Sequence, residues 1–127
     1  MEMTEDIKVL RDLLNKLKKE GKIMLAYLYG SYASNLQHKR SDIDLALYLN
    51  TDDKKEREDI IDAILMSSDR QIGILMLDDE DESPFIIQEA IKGIPLIDPD
   101  SESLYSVAHY ALHETEGIRY KRMLASV

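Results

Sequence analysis

Residues 28–49 read LYGSYASNLQHKRSDIDLALYL, and this stretch decides the fold. It joins the end of one apolar run, residues 23–30, to a second apolar run, residues 42–49, through a polar segment. Both runs are rich in branched and aromatic residues, which favour buried β-strands. The stretch therefore predicts two successive strands with an irregular polar connection between them.

Two aspartates open the second predicted strand. Side chains two residues apart on a strand lie on the same face, so Asp42 and Asp44 are expected to project together. Neighbouring carboxylates repel one another, and a hard divalent cation removes that repulsion because it binds carboxylate oxygens. The pair therefore predicts a metal site. The opposite face of this strand is a predicted core row of Ile43, Leu45, Leu47 and Leu49.

The first predicted strand ends at Gly30-Ser31, where the chain is expected to turn into a short helix at Tyr32-Ala33. Glycine lets a backbone approach a ligand closely. A helix N-terminus offers free N–H groups to phosphate oxygens, and the Ser31 hydroxyl adds one more donor. A phosphate cradle and a pair of metal-binding carboxylates on successive strands suit attack on the α-phosphate of a nucleotide.

The rest of the chain alternates predicted helices with predicted strands. A helix that carries one apolar stripe packs against a sheet, so this order predicts an α/β (α+β) fold with one sheet covered by helices. We expect a single domain over residues 1–127. Its further elements are a helix between Thr4 and Gly21, a helix over 54–67, a strand over 71–77, a helix from Ser83-Pro84 to Gly93, a short edge strand over 94–97 and a last helix over 100–124.

Composition narrows the class of protein. The net charge of −9 argues against a protein that grips nucleic acid, because that affinity depends on basic side chains at the phosphates. The absence of cysteine excludes disulfides and thiolate metal sites. No apolar run approaches the roughly 20 residues that cross a bilayer, and the charged N-terminus does not resemble a secretory signal. We expect a cytoplasmic protein.

The motif Gly30-Ser31, ten residues, then Asp42-Ile43-Asp44 resembles the G-S-X10-D-X-D signature of the DNA polymerase β-like nucleotidyltransferase superfamily. The flanking sequence resembles its minimal nucleotidyltransferase (MNT) members. The resemblance implies a small mixed sheet and transfer of a nucleoside monophosphate from a magnesium–triphosphate complex to a hydroxyl. Gly30 and Ser31 would then hold the triphosphate, and Asp42 and Asp44 would be the catalytic Mg²⁺ ligands.

The chain departs from the family pattern at two places. Relatives carry a third carboxylate on a later strand, and the matching position here is Gly73. Asp69 lies roughly 13 Å away along an extended strand, Asp78 has the wrong parity, and Gln71 is no base. Relatives also have Arg-Gly where this chain has Ser34-Asn35.

Three loop residues complete the predicted nucleotide site. Lys39 or Arg40 is the candidate replacement for the family's arginine, and Tyr32 is expected to border the nucleotide. Both cationic side chains also fit a simpler role as solvated surface residues.

The resemblance also implies a partner. MNT antitoxins are paired with HEPN-family RNase toxins and attach AMP from ATP to a toxin tyrosine, which silences the toxin. We therefore expect an antitoxin of this kind. Both a homo-oligomer and a hetero-oligomer are compatible with it. Two alternatives stand beside it. A catalytically impaired module would neutralise its partner by masking, which Gly73 favours, and a small-molecule nucleotidyltransferase would act on a hydroxylated acceptor without a partner.

Two weaker patterns favour surface roles. The acidic run over residues 78–82 lacks the spacing and glycine of a calcium loop and is expected to be a solvated turn. His109 and His113 have metal-ligand spacing but no third ligand. The last helix carries an apolar stripe, predicted to cover the sheet, and offers a docking surface for a partner. The stripe consists of Leu104, Val107, Ala108, Ala111, Leu112 and Ile118.

Overall fold

The computed structural model describes residues 4–30 and 43–125 of the chain. These residues contain four helices and four strands. In chain order they are α1 Glu5–Lys19, β1 Ile23–Tyr29, β2 Ile43–Leu49, α2 Lys54–Leu65, β3 Ile72–Met76, α3 Pro84–Ala90, β4 Ile94–Pro95 and α4 Ser101–Ala125.

The strands form one mixed sheet in the order β3-β2-β1-β4. β1 pairs antiparallel with both β2 and β4, whereas β2 pairs parallel with β3. Parallel strands need a long crossover connection, and α2 supplies it between β2 and β3. A small mixed sheet packed with helices confirms the predicted α/β (α+β) fold class.

Apolar side chains pack on both faces of the sheet. The first face lies against α1 and α2, and the predicted core row of β2 belongs to it, as do Leu10, Leu14, Ile60 and Ile64. The second face lies against α3 and α4 and includes Leu25, Tyr27, Ala46, Leu75, Ile87 and Ala111. Burial of each Leu or Ile side chain contributes about 1.5–3 kcal/mol, so the two cores together fix the sheet between its helices.

Local signals set the helix ends. The side chain of Asp53 caps α2 by accepting from the backbone N–H of Glu56 at 3.2 Å. Asp100 caps α4, where its Oδ2 accepts from the N–H of Ser103 at 3.0 Å and from its hydroxyl at 2.7 Å. These hydrogen bonds lower the pKa of the Asp100 carboxyl. The predicted start of the last helix at Asp100 or Ser101 is therefore confirmed.

The short strand β4 lies at the sheet edge, as Pro95 predicts. It covers residues 94–95 rather than the predicted 94–97, although the N–H of Leu96 still donates to the carbonyl of Ala26 at 2.9 Å. Gly93 directly precedes β4, and its backbone lies very close to β1. A Cβ atom at this position would lie 2.2 Å from the carbonyl oxygen of Leu28.

The predicted apolar stripe of the last helix is wrong at one position. Leu112 is 51% exposed, whereas Thr115 is completely buried in its place. Residues four apart share a helix face, so Thr115 follows Ala111 onto the sheet, while Leu112 is rotated away from it. The Thr115 hydroxyl donates to the carbonyl of Leu112 at 2.9 Å and accepts from Gln88 at 3.2 Å, which satisfies it inside the core.

Two glycine substitutions test this packing in opposite directions. Gly93→Ala should lower the free energy of unfolding by about 1–3 kcal/mol, because its Cβ would collide with β1. Gly117→Ala should raise it by about 0.5–1 kcal/mol, because this glycine lies inside α4 with open space around its Cβ position. Urea unfolding of both variants measures the difference, and equal stabilities would contradict the close approach of Gly93.

Candidate functional site

Asp44 is the centre of the candidate site. It is the second residue of β2 and lies between two neighbouring strands, opposite Tyr29 of β1 and beside Gly73 of β3. Directly opposite residues share one face of a sheet, so these positions belong to the face that carries α3 and α4. Asp44 is half-buried, whereas the next residue of its face, Ala46, is covered by the second core.

Gly30 makes room for the Asp44 carboxylate. Its φ of +73° lies in the left-handed region, which costs a side-chain-bearing residue about 1–2 kcal/mol. A Cβ atom at position 30 would also lie 2.4 Å from Oδ2 of Asp44, a distance that real contacts do not reach. The backbone conformation therefore favours glycine here, and any side chain would displace the Asp44 carboxylate. The first residue of the Gly-Ser motif thus packs on an aspartate of the Asp-X-Asp motif.

Gly73 flanks the same carboxylate from the other side. A Cβ atom at position 73 would lie 3.4 Å from Oδ1 of Asp44, which is an ordinary contact distance. A side chain at this position would therefore lie directly beside Asp44. This is the position at which the resemblance places a third carboxylate, and the residue here is a glycine.

Neither Asp78 nor Asp69 lies where its carboxylate could take the place of a side chain at position 73. Asp78 forms a salt bridge to Arg57 at 3.3 Å beyond the far end of β3. Asp69 lies outside β3 altogether. Within residues 4–30 and 43–125, no three His, Cys, Asp or Glu side chains gather closely enough to hold a metal ion.

Tyr29 and Glu82 are neighbours of the site that the sequence analysis missed. Burial, and then the charges of Asp44 and Glu82, raise the pKa of the Tyr29 hydroxyl. Tyr29 therefore stays neutral at ordinary pH. Glu82 is half-buried, whereas the other four residues of the acidic run, 78–81, are exposed as predicted. The sequence signal for the partial burial of Glu82 is its position directly before the Ser83-Pro84 helix start, because the turn there brings the chain back to the sheet.

Five of the predicted site residues lie outside the described part of the chain: Ser31, Tyr32, Lys39, Arg40 and Asp42. Of the predicted set, the structure therefore brings Gly30 and Asp44 together, and Gly73, the position that lacks the expected carboxylate, lies on the other side of Asp44. His109 and His113 are exposed on α4, where the His109 ring stacks on Tyr105 with ring centres 5.8 Å apart.

The family described as Polymerase beta, Nucleotidyltransferase matches residues 11–102, which includes every strand and the site. The chain belongs to the polymerase β nucleotidyltransferase family. No curated protein matches the chain. Within the part of this family member that the structure describes, no helix combines the length and apolarity needed to cross a membrane.

Solved structures with the same fold come from toxin–antitoxin complexes. One is the crystal structure of a toxin–antitoxin with AMP-PNP, with 22% identity, a TM-score of 0.67, and coverage of 91% of this chain and 94% of that chain. Another is a tri-AMPylated Shewanella oneidensis HEPN toxin in complex with its MNT antitoxin, at 19% identity, a TM-score of 0.62 and 94% of both chains. A third is the toxin–antitoxin MntA-HepT, at 18% identity, a TM-score of 0.61, and 93% and 94% of the two chains.

Restoring the third carboxylate tests the geometry around Asp44. Gly73→Asp should lower the free energy of unfolding by about 0.2–1 kcal/mol relative to the uncharged Gly73→Asn, because like charges on neighbouring strands repel. Mg²⁺ should remove that difference, since a cation binds both carboxylates. Urea unfolding of the two variants with and without Mg²⁺ measures both effects. A difference that Mg²⁺ leaves unchanged would show that the two carboxylates do not share a cation.

Proposed function

We propose that this chain is a nucleotidyltransferase antitoxin that transfers AMP from Mg–ATP to a tyrosine hydroxyl of a HEPN-family toxin in the cytoplasm. The observation that carries the proposal is the Asp44 carboxylate packed against Gly30 in a chain of the nucleotidyltransferase family. The toxin–antitoxin complex with AMP-PNP and the tri-AMPylated HEPN toxin support the choice of nucleotide and partner.

The proposed roles follow the family motif. Gly30 and Ser31 bind the triphosphate, Tyr32 borders the nucleotide, and Lys39 or Arg40 neutralises phosphate charge. Asp42 and Asp44 hold Mg²⁺, which neutralises charge on the triphosphate when bound. Asp44 suits the role of a Mg²⁺ ligand, because its carboxylate is an oxygen donor and lies half-buried beside Gly30 and Gly73.

The proposed reaction is an in-line displacement. The tyrosine oxygen of the toxin forms a bond to the α-phosphorus of ATP as the bond from this phosphorus to the α–β bridging oxygen breaks. The products are an O-adenylylated tyrosine and pyrophosphate, and the phenolic proton passes to solvent.

The same glycine supports a second candidate function. Without a carboxylate at position 73, no described side chain beside Asp44 serves as the base for the attacking hydroxyl. A chain with this gap would bind nucleotide and partner and neutralise the toxin by masking it. AMP transfer and masking therefore differ in one observable, which is whether neutralisation depends on Asp44.

Transfer of radiolabelled AMP from ATP to a co-purified HEPN toxin separates the two functions. Asp44→Asn should reduce label transfer at least about 100-fold, because even indirect partners of metal ligands contribute 10–100-fold. The exposed Asp52→Asn is the matched control and should transfer label at the wild-type rate. Gly73→Asp should raise the rate if the missing carboxylate limits it.

The outcomes distinguish the candidate functions. Neutralisation of the toxin by Asp44→Asn at wild-type strength, without label transfer, would support masking and exclude AMP transfer as the mechanism. Label that appears on a hydroxylated small molecule and never on the toxin would support a small-molecule nucleotidyltransferase.

A further inference from the structure

A groove on the second sheet face lies apart from the candidate nucleotide site. Its lining comes from β2, the turn after β3, and α4: Tyr48, Leu77, Asp78, Asp79, Glu80, Ser106, Val107 and Tyr110. Tyr48 lies four residues beyond Asp44 on the same strand face, roughly 13 Å away. Ala46 lies between them and is completely buried, so the groove is not an extension of the site around Asp44.

The groove has an apolar floor and aromatic sides. Leu77 and Val107 form the floor, and both are almost completely buried. Tyr48 and Tyr110 contribute rings, and Ser106 adds a hydroxyl. The volume is about 170 Å³, which equals the space of roughly six water molecules. This is room for one long side chain rather than for a nucleotide or a helix.

The rim of the groove carries negative charge that the described residues leave largely uncompensated. Asp78 pairs with Arg57, and Oδ1 of Asp79 accepts from the N–H of Asp81 at 2.9 Å. Within residues 4–30 and 43–125, no lysine or arginine forms a salt bridge with Asp79 or Glu80. Burial and the charges of Glu114 and Glu80 raise the pKa of the Tyr110 hydroxyl, which agrees with a negative potential at the groove.

We infer that this groove binds an arginine side chain of the partner protein. The aliphatic stem would pack on Leu77 and Val107, as long basic side chains do on apolar surfaces. The guanidinium would stack on a tyrosine ring and donate to the carboxylates of Asp79 and Glu80. Charge complementarity selects this occupant, since a phosphate or carboxylate ligand would be repelled by the same rim.

The exposed surface of α4, the helix that forms one side of the groove, indicates a protein as the source of the arginine. α4 exposes six large apolar or aromatic side chains along its length: Tyr105, Tyr110, Leu112, Tyr120, Met123 and Leu124. Several exposed apolar residues on one element mark an interaction surface, whereas single ones do not. The identification of the partner as a HEPN toxin rests on the proposed function. The assignment of an arginine to the groove rests only on the shape and charge of the groove.

A peptide titration tests the groove without ATP or toxin. The probe is an acetylated Leu-Arg-Leu amide, and the control is the same peptide with citrulline, which keeps the shape and removes the charge. Adding the arginine peptide to the full chain should shift the NMR signals of Leu77, Val107 and Tyr110, and the citrulline peptide should bind at least about tenfold more weakly.

Three variants decide whether the rim and the ring act as inferred. Glu80→Lys should weaken binding of the arginine peptide at least about tenfold. Tyr110→Leu should weaken it roughly two- to fivefold, the size of an exposed cation–π contact. Glu58→Lys makes the same charge change on α2, on the other face of the sheet, and should bind as the wild type does.

The peptide titrations of the wild type and the variants either support or overturn binding of an arginine in the groove. Shifts confined to the groove that Glu80→Lys removes and Glu58→Lys preserves support it. Absence of shifts at Leu77, Val107 and Tyr110, or equal weakening by both lysine variants, overturns it. Because no nucleotide is present, failure of this test leaves the proposed AMP transfer standing, and failure of AMP transfer leaves the groove standing.

Discussion

The site depends on one steric constraint, which is that the Asp44 carboxylate occupies the space that a side chain at position 30 would take. Gly30 cannot carry a Cβ atom without a 2.4 Å collision with this carboxylate, and its backbone adopts a conformation that favours glycine. Gly73 borders the other carboxylate oxygen. The proposed roles of Gly30 and Asp44 depend on this arrangement, because it fixes a carboxylate oxygen beside the end of β1.

The candidate site and the groove both lie on the second sheet face. The face under α1 and α2 is a continuous apolar core with the fully buried row of β2. The face under α3 and α4 carries Asp44 at one end of β2 and the acidic groove beside Tyr48 at the other, separated by the buried Ala46. Substitutions at either polar end therefore leave the first core intact, so nucleotide chemistry and partner recognition can be tested separately.

Strand periodicity and motif spacing were enough to predict the sheet, its helices and the meeting of Gly30 with the strand of Asp44. The β2 core row and the edge position of Pro95 follow from local rules that act within a few residues. The exposure of Leu112 and the half-buried Glu82 did not follow, because they depend on how α4 rotates and how the acidic turn returns to the sheet. Such features are set by tertiary packing between distant segments, which no local pattern records.

Isothermal titration calorimetry with AMP-PNP and Mg²⁺ tests the central claim most directly, on the wild type, Asp44→Asn and Gly30→Ala. We expect saturable binding to the wild type and affinity at least about tenfold weaker in both variants, since each disturbs the same carboxylate. Urea unfolding of each variant confirms that it is folded under the conditions of the titration. Wild-type affinity in a folded Gly30→Ala variant, or no heat of binding to the wild type, would contradict the account.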